Sequence, residues 1–296
     1  MFPTILTIGK FSLSSFGLFL ALAFLFGVFL IWRLSRAWDL DEEKVLDLTL
    51  LTFLGGLIGA RLYFALSNLS FFAFDPIKLI LFTKYPGFSF WGGFLGGWLS
   101  IYYFSRRKKL DFWQIADIAS IGFLVGLIIS DLGCFLGGCG VGSVTRSFLG
   151  VSMVGMVGKR WPVQIFEAIG LSLVLINVYG SATHFHQRGK IISISLIFIG
   201  LIKLILEPLR DTKGQSFFSG LLLILGITIF YRITKRNLIS DLKSFVKFLS
   251  KPKLVLGTLK KGWYNQKIII AWKFRSLKKN LRRLNVKFSP KNDQIH

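Results

Sequence analysis

Charged and amide side chains recur at helical spacing inside apolar stretches of this chain. Gln164 and Glu167 lie three residues apart. Lys203, Glu207 and Arg210 follow one another at spacings of four and three. Residues three and four apart share one face of a helix, so each set points in one direction. Ionisable groups at membrane depth are costly and usually mark a binding site or a transport route. The pattern therefore predicts a polar site, with ion pairs that only hold helices together as the alternative.

Two further charged residues extend this pattern to other apolar runs. Arg61 lies in the second run, and Asp131 closes the fourth. Together with the residues above they supply three positive and three negative side chains, which predicts a charge-compensated cluster near the outer leaflet. Replacing a buried ion pair by apolar packing often leaves stability no worse. We therefore favour a functional cluster over a purely structural one.

A glycine-rich stretch follows Asp131. Glycine occupies positions 133, 137, 138, 140 and 142, which predicts bare and mobile backbone. Lipid tolerates such backbone only where protein covers it or where it lines a polar cavity. Cys134 and Cys139 lie in this stretch, and without a nearby His or a third Cys they do not make a zinc site, so no metal is expected. A disulfide between them and two buried thiols both remain open.

Long apolar runs are the elements that must position these residues. The chain of 296 residues is 53% hydrophobic and contains 31 Phe. A helix needs about 20 residues to cross a hydrocarbon core of roughly 30 Å. The runs that approach this length cover residues 13–33, 45–67, 90–104, 113–130, 162–180, 191–207 and 216–233. The sequence therefore predicts an all-α, polytopic membrane protein with about seven transmembrane helices, and it argues against a soluble domain.

Basic residues between the runs predict the orientation. Lys and Arg follow the first, third, fifth and seventh runs, and basic residues stay on the cytoplasmic side of a membrane. This places the N-terminus outside and the C-terminus in the cytoplasm, with the first run as a retained anchor rather than a cleaved signal peptide. Residues 1–233 then form a membrane-embedded domain, and residues 234–296 form a basic amphipathic tail.

The tail carries most of the net charge of +23. From Arg232 onward there are 18 Lys and Arg against two acids, Asp241 and Asp293. Between the cations, Leu, Ile and Phe recur at steps of three and four, for example from Ile270 to Phe288. A basic helix with such a stripe is typical of one that lies on an anionic membrane surface. A protein partner is the alternative, and no nucleic acid is expected.

The order of the motifs resembles that of the prolipoprotein diacylglyceryl transferases, a family of bacterial enzymes. Segments similar to the family's signatures follow one another in family order at 8–18, 39–61, 88–97, 133–142, 161–167 and 200–210. The residues that match the family pattern are Arg61, Gly92, Gly93, Gly142, Gln164, Glu167, Glu207 and Arg210. The chain departs from the pattern at Phe16, Trp91, Asp131, Cys134, Cys139, Trp161 and Lys203.

The resemblance implies a reaction in the bacterial cytoplasmic (inner) membrane. The family moves the diacylglyceryl group of phosphatidylglycerol onto the lipobox cysteine of a prolipoprotein signal peptide, and it uses no cofactor. Positive charge must hold the phosphate, which suits Arg61, Lys203 and Arg210. A base must take the thiol proton, and Glu207 and Asp131 are the candidates. The other residues expected to bind substrate are Gly92, Gly93, Gly142, Gln164 and Glu167.

Two other functions remain open. A retired family member would bind phospholipid or lipoprotein without chemistry, consistent with the replaced motif residues. A small lipid transporter would use the same cavity, but seven runs without an internal repeat do not fit the common transporter designs. Formation of a thioether from phosphatidylglycerol and a lipobox peptide separates the transferase from both.

Overall fold

The computed structural model describes residues 4–8, 11–69, 78–79, 85, 87–153, 155–184, 186–211, 216–238, 240–241 and 243. Over these residues the backbone is mainly helical and contains seven long helices, which confirms the all-α prediction. The chain divides into two compact units, Met1–Lys235 and Arg236–His296. The basic tail predicted for 234–296 lies almost wholly outside the described residues, so the tail and the domain boundary stay predictions.

The first unit is built from helices, with one short hairpin before the first helix and a second between the fourth and fifth helices. The first hairpin, β1 (Thr4–Ile8) and β2 (Phe11–Ser14), precedes α1 (Ser15–Ala37), α2 (Glu42–Ser67), α3 (Phe90–Arg107) and α4 (Phe112–Gly137). The second, β3 (Val151–Ser152) and β4 (Lys159–Arg160), leads to α5 (Val163–Ala182), α6 (Lys190–Leu206), a 3-10 turn (Glu207–Leu209) and α7 (Ser216–Thr234).

Six of the described helices are long and apolar enough to cross a membrane. The seventh, α3, has 18 residues and falls outside this set. Four glycines and two terminal arginines dilute its apolar character. The structure therefore confirms a polytopic membrane protein, while the orientation of its termini stays a prediction.

Glycines allow α2 and α3 to pack closely. Gly55 and Gly59 on α2 face Gly92 and Gly96 on α3, so each helix presents two small residues four positions apart. A Cβ atom built on Gly59 would lie 2.6 Å from the carbonyl oxygen of Gly92, and one on Gly96 would lie 2.4 Å from that of Gly55. Small residues at this spacing let helix backbones approach closely in membranes. The spacing thus fixes α3 against α2.

α4 is the central helix of the bundle, and it is longer than the sequence predicted. Its Ile118, Ile121 and Leu124 are almost completely buried. The helix continues past residue 130 to Gly137, because Gly133 and Gly137 pack against α1 instead of starting a loop. Gly138 ends the helix with φ +80°, a left-handed conformation that glycine adopts without strain. Asp131 and Cys134 consequently lie on the last turns of a helix.

At one end of the bundle, side chains link the turns that follow α1, α3 and α5. The indole Nε1 of Trp38, after α1, donates to the carbonyl oxygen of Ala182 on α5 at 3.1 Å. Arg188, before α6, pairs with Asp111, before α4, at 2.7 Å. Partial burial opposes ionisation of Asp111, but hydrogen bonds from Arg188 and from backbone N–H groups outweigh it and lower the pKa of its carboxyl. The opposite end carries the candidate site.

Candidate functional site

Glu167 is the centre of a buried ion cluster. Its side chain lies in the first turns of α5 and is 1% exposed. One carboxylate oxygen accepts from the Nζ of Lys203, and the other accepts from Nη2 of Arg210. Each oxygen therefore has its own cation. The group of one carboxylate and two cations has a net charge of +1.

The end of α6 brings both cations to Glu167. Lys203 lies in the last turn of that helix and is 8% exposed. The helix stops at Leu206 because Pro208 lacks the N–H group that a helix interior needs. The 3-10 turn follows, and Arg210 leaves it in an extended conformation with φ −85° and ψ 148°. The shared helix face that the sequence predicted for Lys203, Glu207 and Arg210 therefore does not form, and the break in the helix sets the position of Arg210.

An antiparallel crossing holds Arg210 in place. The backbone N–H of Ser143 donates to the carbonyl oxygen of Leu209 at 2.8 Å, and that of Asp211 donates to the carbonyl oxygen of Val141 at 3.2 Å. Gly142 and Arg210 thus form an isolated β-bridge. A Cβ atom on Gly142 would lie 2.2 Å from the carbonyl oxygen of Trp161. The crossing therefore requires glycine at 142. This backbone contact explains the glycine without the substrate contact that was predicted for it.

Arg160 hydrogen-bonds to both chain segments of this crossing. Its Nη1 donates to the carbonyl oxygen of Gly142 at 3.1 Å and to the carboxylate of Asp211 at 2.9 Å. The backbone before α5 joins as well, because the N–H of Trp161 donates to the carbonyl oxygen of Ser143 at 3.1 Å. Three chain segments therefore meet beside the ion cluster.

Asp131 faces the cluster from α4. It interacts electrostatically with Glu167, Lys203 and Arg210. Its Oδ2 atom is buried and has no hydrogen-bond partner among the described residues. The sequence analysis placed Asp131 in this cluster, and the structure brings it there.

Gln164 lies one turn before Glu167 on the same helix and is 4% exposed. Its Nε2 donates to the carbonyl oxygen of Cys139 at 2.5 Å. Its Oε1 is buried and has no hydrogen-bond partner in the described part of the chain. Cys139 itself forms a disulfide with Cys134, with 4.8 Å between the two Cα atoms. Of the two states that the sequence left open, the structure has the disulfide.

Glu207 lies in the 3-10 turn between Lys203 and Arg210. Its Oε1 accepts from the hydroxyl of Ser216 at 3.2 Å. None of the three residues of this turn is buried. Glu207 is therefore a carboxylate at the edge of the cluster, where a peptide can reach it more easily than it can reach Glu167.

Arg61 is engaged with backbone carbonyl groups. It is 6% exposed, and its guanidinium donates to the carbonyl oxygens of Lys78, Leu79 and Gly87 at 3.0 Å or less. Its guanidinium carbon also lies 5.8 Å from the centroid of the Phe88 ring. These bonds tie the chain before α3 to α2. Arg61 thus has a structural use that the sequence pattern did not predict.

The two predicted glycines of α3 differ in their surroundings. A Cβ on Gly92 would lie 2.4 Å from the carbonyl oxygen of Gly59, whereas one on Gly93 would be in ordinary contact, 3.4 Å from Ala60. Both positions face α2. The structure therefore accounts for Gly92 through helix packing.

Aromatic residues that the sequence analysis did not assign to the site border it. The Nζ of Lys203 lies 4.7 Å from the ring centroid of Phe90, within the range of a cation–π interaction. The neighbouring Trp91 is 8% exposed and stacks on Phe218 of α7, with ring centroids 4.9 Å apart. The proximity of Phe90 to Lys203 depends on how α3 and α6 pack, and no spacing in the sequence signals it.

A second buried carboxylate, Asp117, lies toward the other end of α4 and was also missed. It is 0% exposed, and it accepts from the backbone N–H groups of Gly189 at 2.6 Å and Ile192 at 2.8 Å. It therefore caps the start of α6. The sequence around Asp117 does not indicate that its carboxylate accepts a hydrogen bond from a residue 72 positions away.

The cluster has the properties of an anion-binding site with carboxylates at its edge. Two cations meet one fully paired carboxylate, Asp131 interacts electrostatically with all three groups, and Glu207 lies in the turn that connects the two cations along the chain. Across the described residues, no three His, Cys, Asp or Glu side chains are grouped so that they could hold a metal ion. Phosphate binding and proton transfer are the chemistry that these groups offer.

Comparisons with known proteins agree with this chemistry. The family model for prolipoprotein diacylglyceryl transferase matches residues 3–242. A phosphatidylglycerol–prolipoprotein diacylglyceryl transferase of Geobacter sulfurreducens is 30% identical over 251 residues, which cover 79% of this chain and 96% of the relative. The enzyme of the same name from Rickettsia canadensis is 29% identical over 221 residues, covering 72% and 85%. These matches confirm the resemblance predicted from the motifs.

Proposed function

Because the chain belongs to the prolipoprotein diacylglyceryl transferase family, we propose that it transfers the diacylglyceryl group of phosphatidylglycerol to the lipobox cysteine of a prolipoprotein. The observation that carries the proposal is the buried group of Glu167, Lys203 and Arg210 in a chain that matches the family over most of its length. A phosphate leaving group needs positive charge where its own negative charge develops.

The reaction balances without a cofactor. The thiol sulfur of the acceptor cysteine attacks the glyceryl carbon that carries the phosphate ester. A C–S bond forms, and the C–O bond breaks. The phosphate oxygen keeps the electron pair and leaves as glycerol phosphate. The thiol proton passes to a base on the protein, because the thiolate is the nucleophile.

Lys203 and Arg210 are the cations proposed to hold the phosphate. Both already contact Glu167, which fixes their positions before the lipid enters. Fixed charges in a site with little water stabilise a transition state at no cost of reorganisation. Glu167 thus acts as a positioning residue, since its own carboxylate is fully paired. Arg61 would serve the site indirectly, through the segment before α3.

Glu207 is the base that we propose for the thiol proton. It lies in the turn between the two cations, and no residue of that turn is buried. A peptide thiol can therefore approach it from the rim of the cluster. The hydroxyl of Ser216 donates to its Oε1 and orients the carboxylate. The free oxygen of Asp131 is buried, so Asp131 is the less accessible of the two candidates.

The bacterial inner membrane and an N-terminus on its outer side complete the proposal. The end of the bundle opposite the ion cluster carries Arg36, Arg106, Arg107 and Arg188, next to helix ends. Basic residues favour the cytoplasmic side. The cluster would then lie toward the outer leaflet, where exported prolipoproteins present their lipobox.

The basic tail is proposed to lie on the anionic inner surface of the same membrane. Each cation near anionic head groups contributes about 1 kcal/mol, and the tail carries many. Its Leu and Phe stripe would enter the boundary between head groups and acyl chains. Removal of residues 244–296 should then leave the transfer reaction intact and weaken only the binding of the protein to anionic vesicles.

Transfer to a synthetic peptide tests the proposed reaction. Purified full-length protein in detergent is mixed with phosphatidylglycerol and a fluorescent lipobox peptide, and the thioether product is followed by mass spectrometry. We expect product with the wild-type chain and about 10²–10⁴-fold less with Glu207→Gln, which removes the general base. Binding of phosphatidylglycerol without any product would instead identify a retired family member.

Asp47→Asn is the matched control for Glu207→Gln. It is also a carboxylate-to-amide change, at a half-exposed residue that pairs with Lys108 at the opposite end of the bundle. We expect the control to transfer at the wild-type rate. Equal activity of Glu207→Gln and the wild type would refute the proposed base while leaving the reaction itself in place.

A further inference from the structure

Among the residues that the structure describes, two buried oxygen atoms beside the ion cluster have no hydrogen-bond donor. These are Oδ2 of Asp131 on α4 and Oε1 of Gln164 on α5. Leaving a buried acceptor without a hydrogen bond is unfavourable, and more so for a charged group. Native proteins keep few such atoms, and each of them calls for an explanation. Two such oxygen atoms, on neighbouring helices beside one ion cluster, indicate that a bound ligand supplies the donors.

The orientation of the Gln164 amide follows from its neighbour. Its Nε2 donates to the carbonyl oxygen of Cys139. Turning the amide over would place two acceptor oxygens against each other, so the network assigns the oxygen to the opposite side. Gln164 is 4% exposed, and the disulfide fixes Cys139 to α4. The free Oε1 is therefore held in one place.

Both free acceptors lie around Glu167 and its two cations. Gln164 precedes Glu167 by one turn, and Asp131 interacts electrostatically with Glu167, Lys203 and Arg210. A ligand that satisfies the whole group needs an anion for the cations and hydrogen-bond donors for the two acceptors. A phosphate ester with two neighbouring hydroxyl groups has both.

We propose that Asp131 and Gln164 accept hydrogen bonds from the two hydroxyl groups of the glycerol head group, and that they thereby select phosphatidylglycerol among phospholipids. The inference rests on the proposed function, because it places the phosphate of that lipid at Lys203 and Arg210. A head group without hydroxyls leaves both oxygens buried and unpaired. Sites built to bind a hydroxyl reject analogues that lack it far more strongly than apolar sites reject an added group.

A pair of lipids with the same charge tests the selection. Wild-type protein is given phosphatidylglycerol or phosphatidylpropanol, which has the same phosphate and a three-carbon head group without free hydroxyls. We expect the transfer rate from phosphatidylglycerol to be at least about 100-fold higher. Equal rates would overturn the proposal while leaving the transferase in place. Phosphatidylethanolamine, whose ammonium group also donates, is the third lipid, and a rate equal to that of phosphatidylglycerol would overturn the proposal too.

Two variants assign the selection to these residues. Asp131→Leu and Gln164→Leu remove the acceptors, and each should lower the ratio of the two rates about 10-fold, because a hydrogen bond to the head group is lost. Asn177→Leu is the control, since it changes another amide of α5 that donates to its own helix. An unchanged ratio in both test variants would overturn the assignment.

Binding separates this inference from the proposed function. Stabilisation of the wild-type protein by each lipid in detergent is measured as the rise in the midpoint of thermal unfolding, which needs no reaction and no variant. We expect phosphatidylglycerol to raise the midpoint more than phosphatidylpropanol does. Absence of thioether product with every lipid, together with this difference, would refute the transferase and retain the head-group site. Equal stabilisation by the two lipids would overturn the site.

Discussion

Glu167 and Arg210 lie 43 residues apart in the chain and form a buried ion pair. The pair depends on a backbone crossing, because Gly142 forms a β-bridge with Arg210 and brings the segment after α4 against the segment after α6. Lys203 reaches the other oxygen of the same carboxylate. Three separate parts of the chain thus set the position of two cations, and a change in any of them should affect stability and transfer together.

Glu167→Gln should destabilise the protein. It removes the negative charge that faces both cations, and breaking a buried pair costs about 3–5 kcal/mol because a charge is left uncompensated. We expect a lower midpoint of thermal unfolding in detergent, followed by the fluorescence of the 8 Trp residues. Lys203→Met supplies the other half of a double-mutant cycle. The double variant should lose less stability than the sum of the single variants, by about 0.5–3 kcal/mol, and strict additivity would contradict the pair.

Arg210→Ala should lower kcat/KM for diacylglyceryl transfer about 10²–10³-fold, measured on the folded fraction. The reason is the loss of a cation fixed next to the leaving phosphate. Arg210→Lys should be intermediate, since Lys keeps the charge without the planar fork of donors. Arg188→Ala is the matched control, because that arginine pairs with Asp111 at the other end and its side chain is 64% exposed. A loss of the same size in the control would contradict the role of Arg210.

Gly59→Ala should separate α2 from α3. The new methyl group would lie 2.6 Å from the carbonyl oxygen of Gly92, so the helices must move apart, at a cost of about 1–3 kcal/mol. Gly126→Ala in α4 is the control, because a Cβ atom there would meet no atom of the described residues within 4 Å apart from its chain neighbours and the backbone of its own helix. That substitution should be neutral or stabilise by up to about 1 kcal/mol, since alanine favours a helix. Equal unfolding midpoints for the two variants would contradict the close packing of α2 and α3.

Reduction of the Cys134–Cys139 disulfide should destabilise the end of α4. In the chain-entropy account, a cross-link closing such a short loop contributes about 2 kcal/mol. We expect a reducing agent to lower the midpoint of thermal unfolding of the wild type. The double variant Cys134→Ser and Cys139→Ser should start from the lower midpoint and should not respond to the reducing agent. A wild-type midpoint that stays unchanged on complete reduction would contradict the expected contribution.

Asp117→Asn should destabilise the start of α6. The carboxylate accepts from two backbone N–H groups, and the amide replaces one acceptor oxygen by a donor that faces a donor. We expect a loss of about 1.5–3 kcal/mol in the free energy of unfolding, and faster hydrogen exchange at residues 189–192. Asp41→Asn, at an exposed N-cap, should cost little in comparison, because Asn caps helices about as well as Asp. Unchanged exchange at 189–192 would contradict the capping role.

Most helix positions were predictable from the sequence, because a helix that crosses a bilayer must satisfy its own backbone and cover itself with apolar side chains. Both requirements act on residues that are contiguous in the chain, so they are visible in the sequence. The end of α4 was the main error, since glycines that read as a loop proved to be contact points for α1 at Gly133 and Gly137. A glycine in a sequence does not reveal whether it frees the backbone or lets another helix come close.

The sequence predicted a helical membrane protein of one enzyme family and placed Gln164 and Glu167 on one helix face. The shared helix face predicted for Lys203, Glu207 and Arg210 was wrong, because the helix ends at Leu206 and Arg210 is extended. Which charges meet depends on how the helices pack against one another. The tertiary structure paired both cations with Glu167, engaged Arg61 with backbone carbonyls and joined the two cysteines. Helical periodicity fixes the direction of a side chain about its own axis, whereas its partner depends on where other helices pack, and that is set by contacts between distant residues.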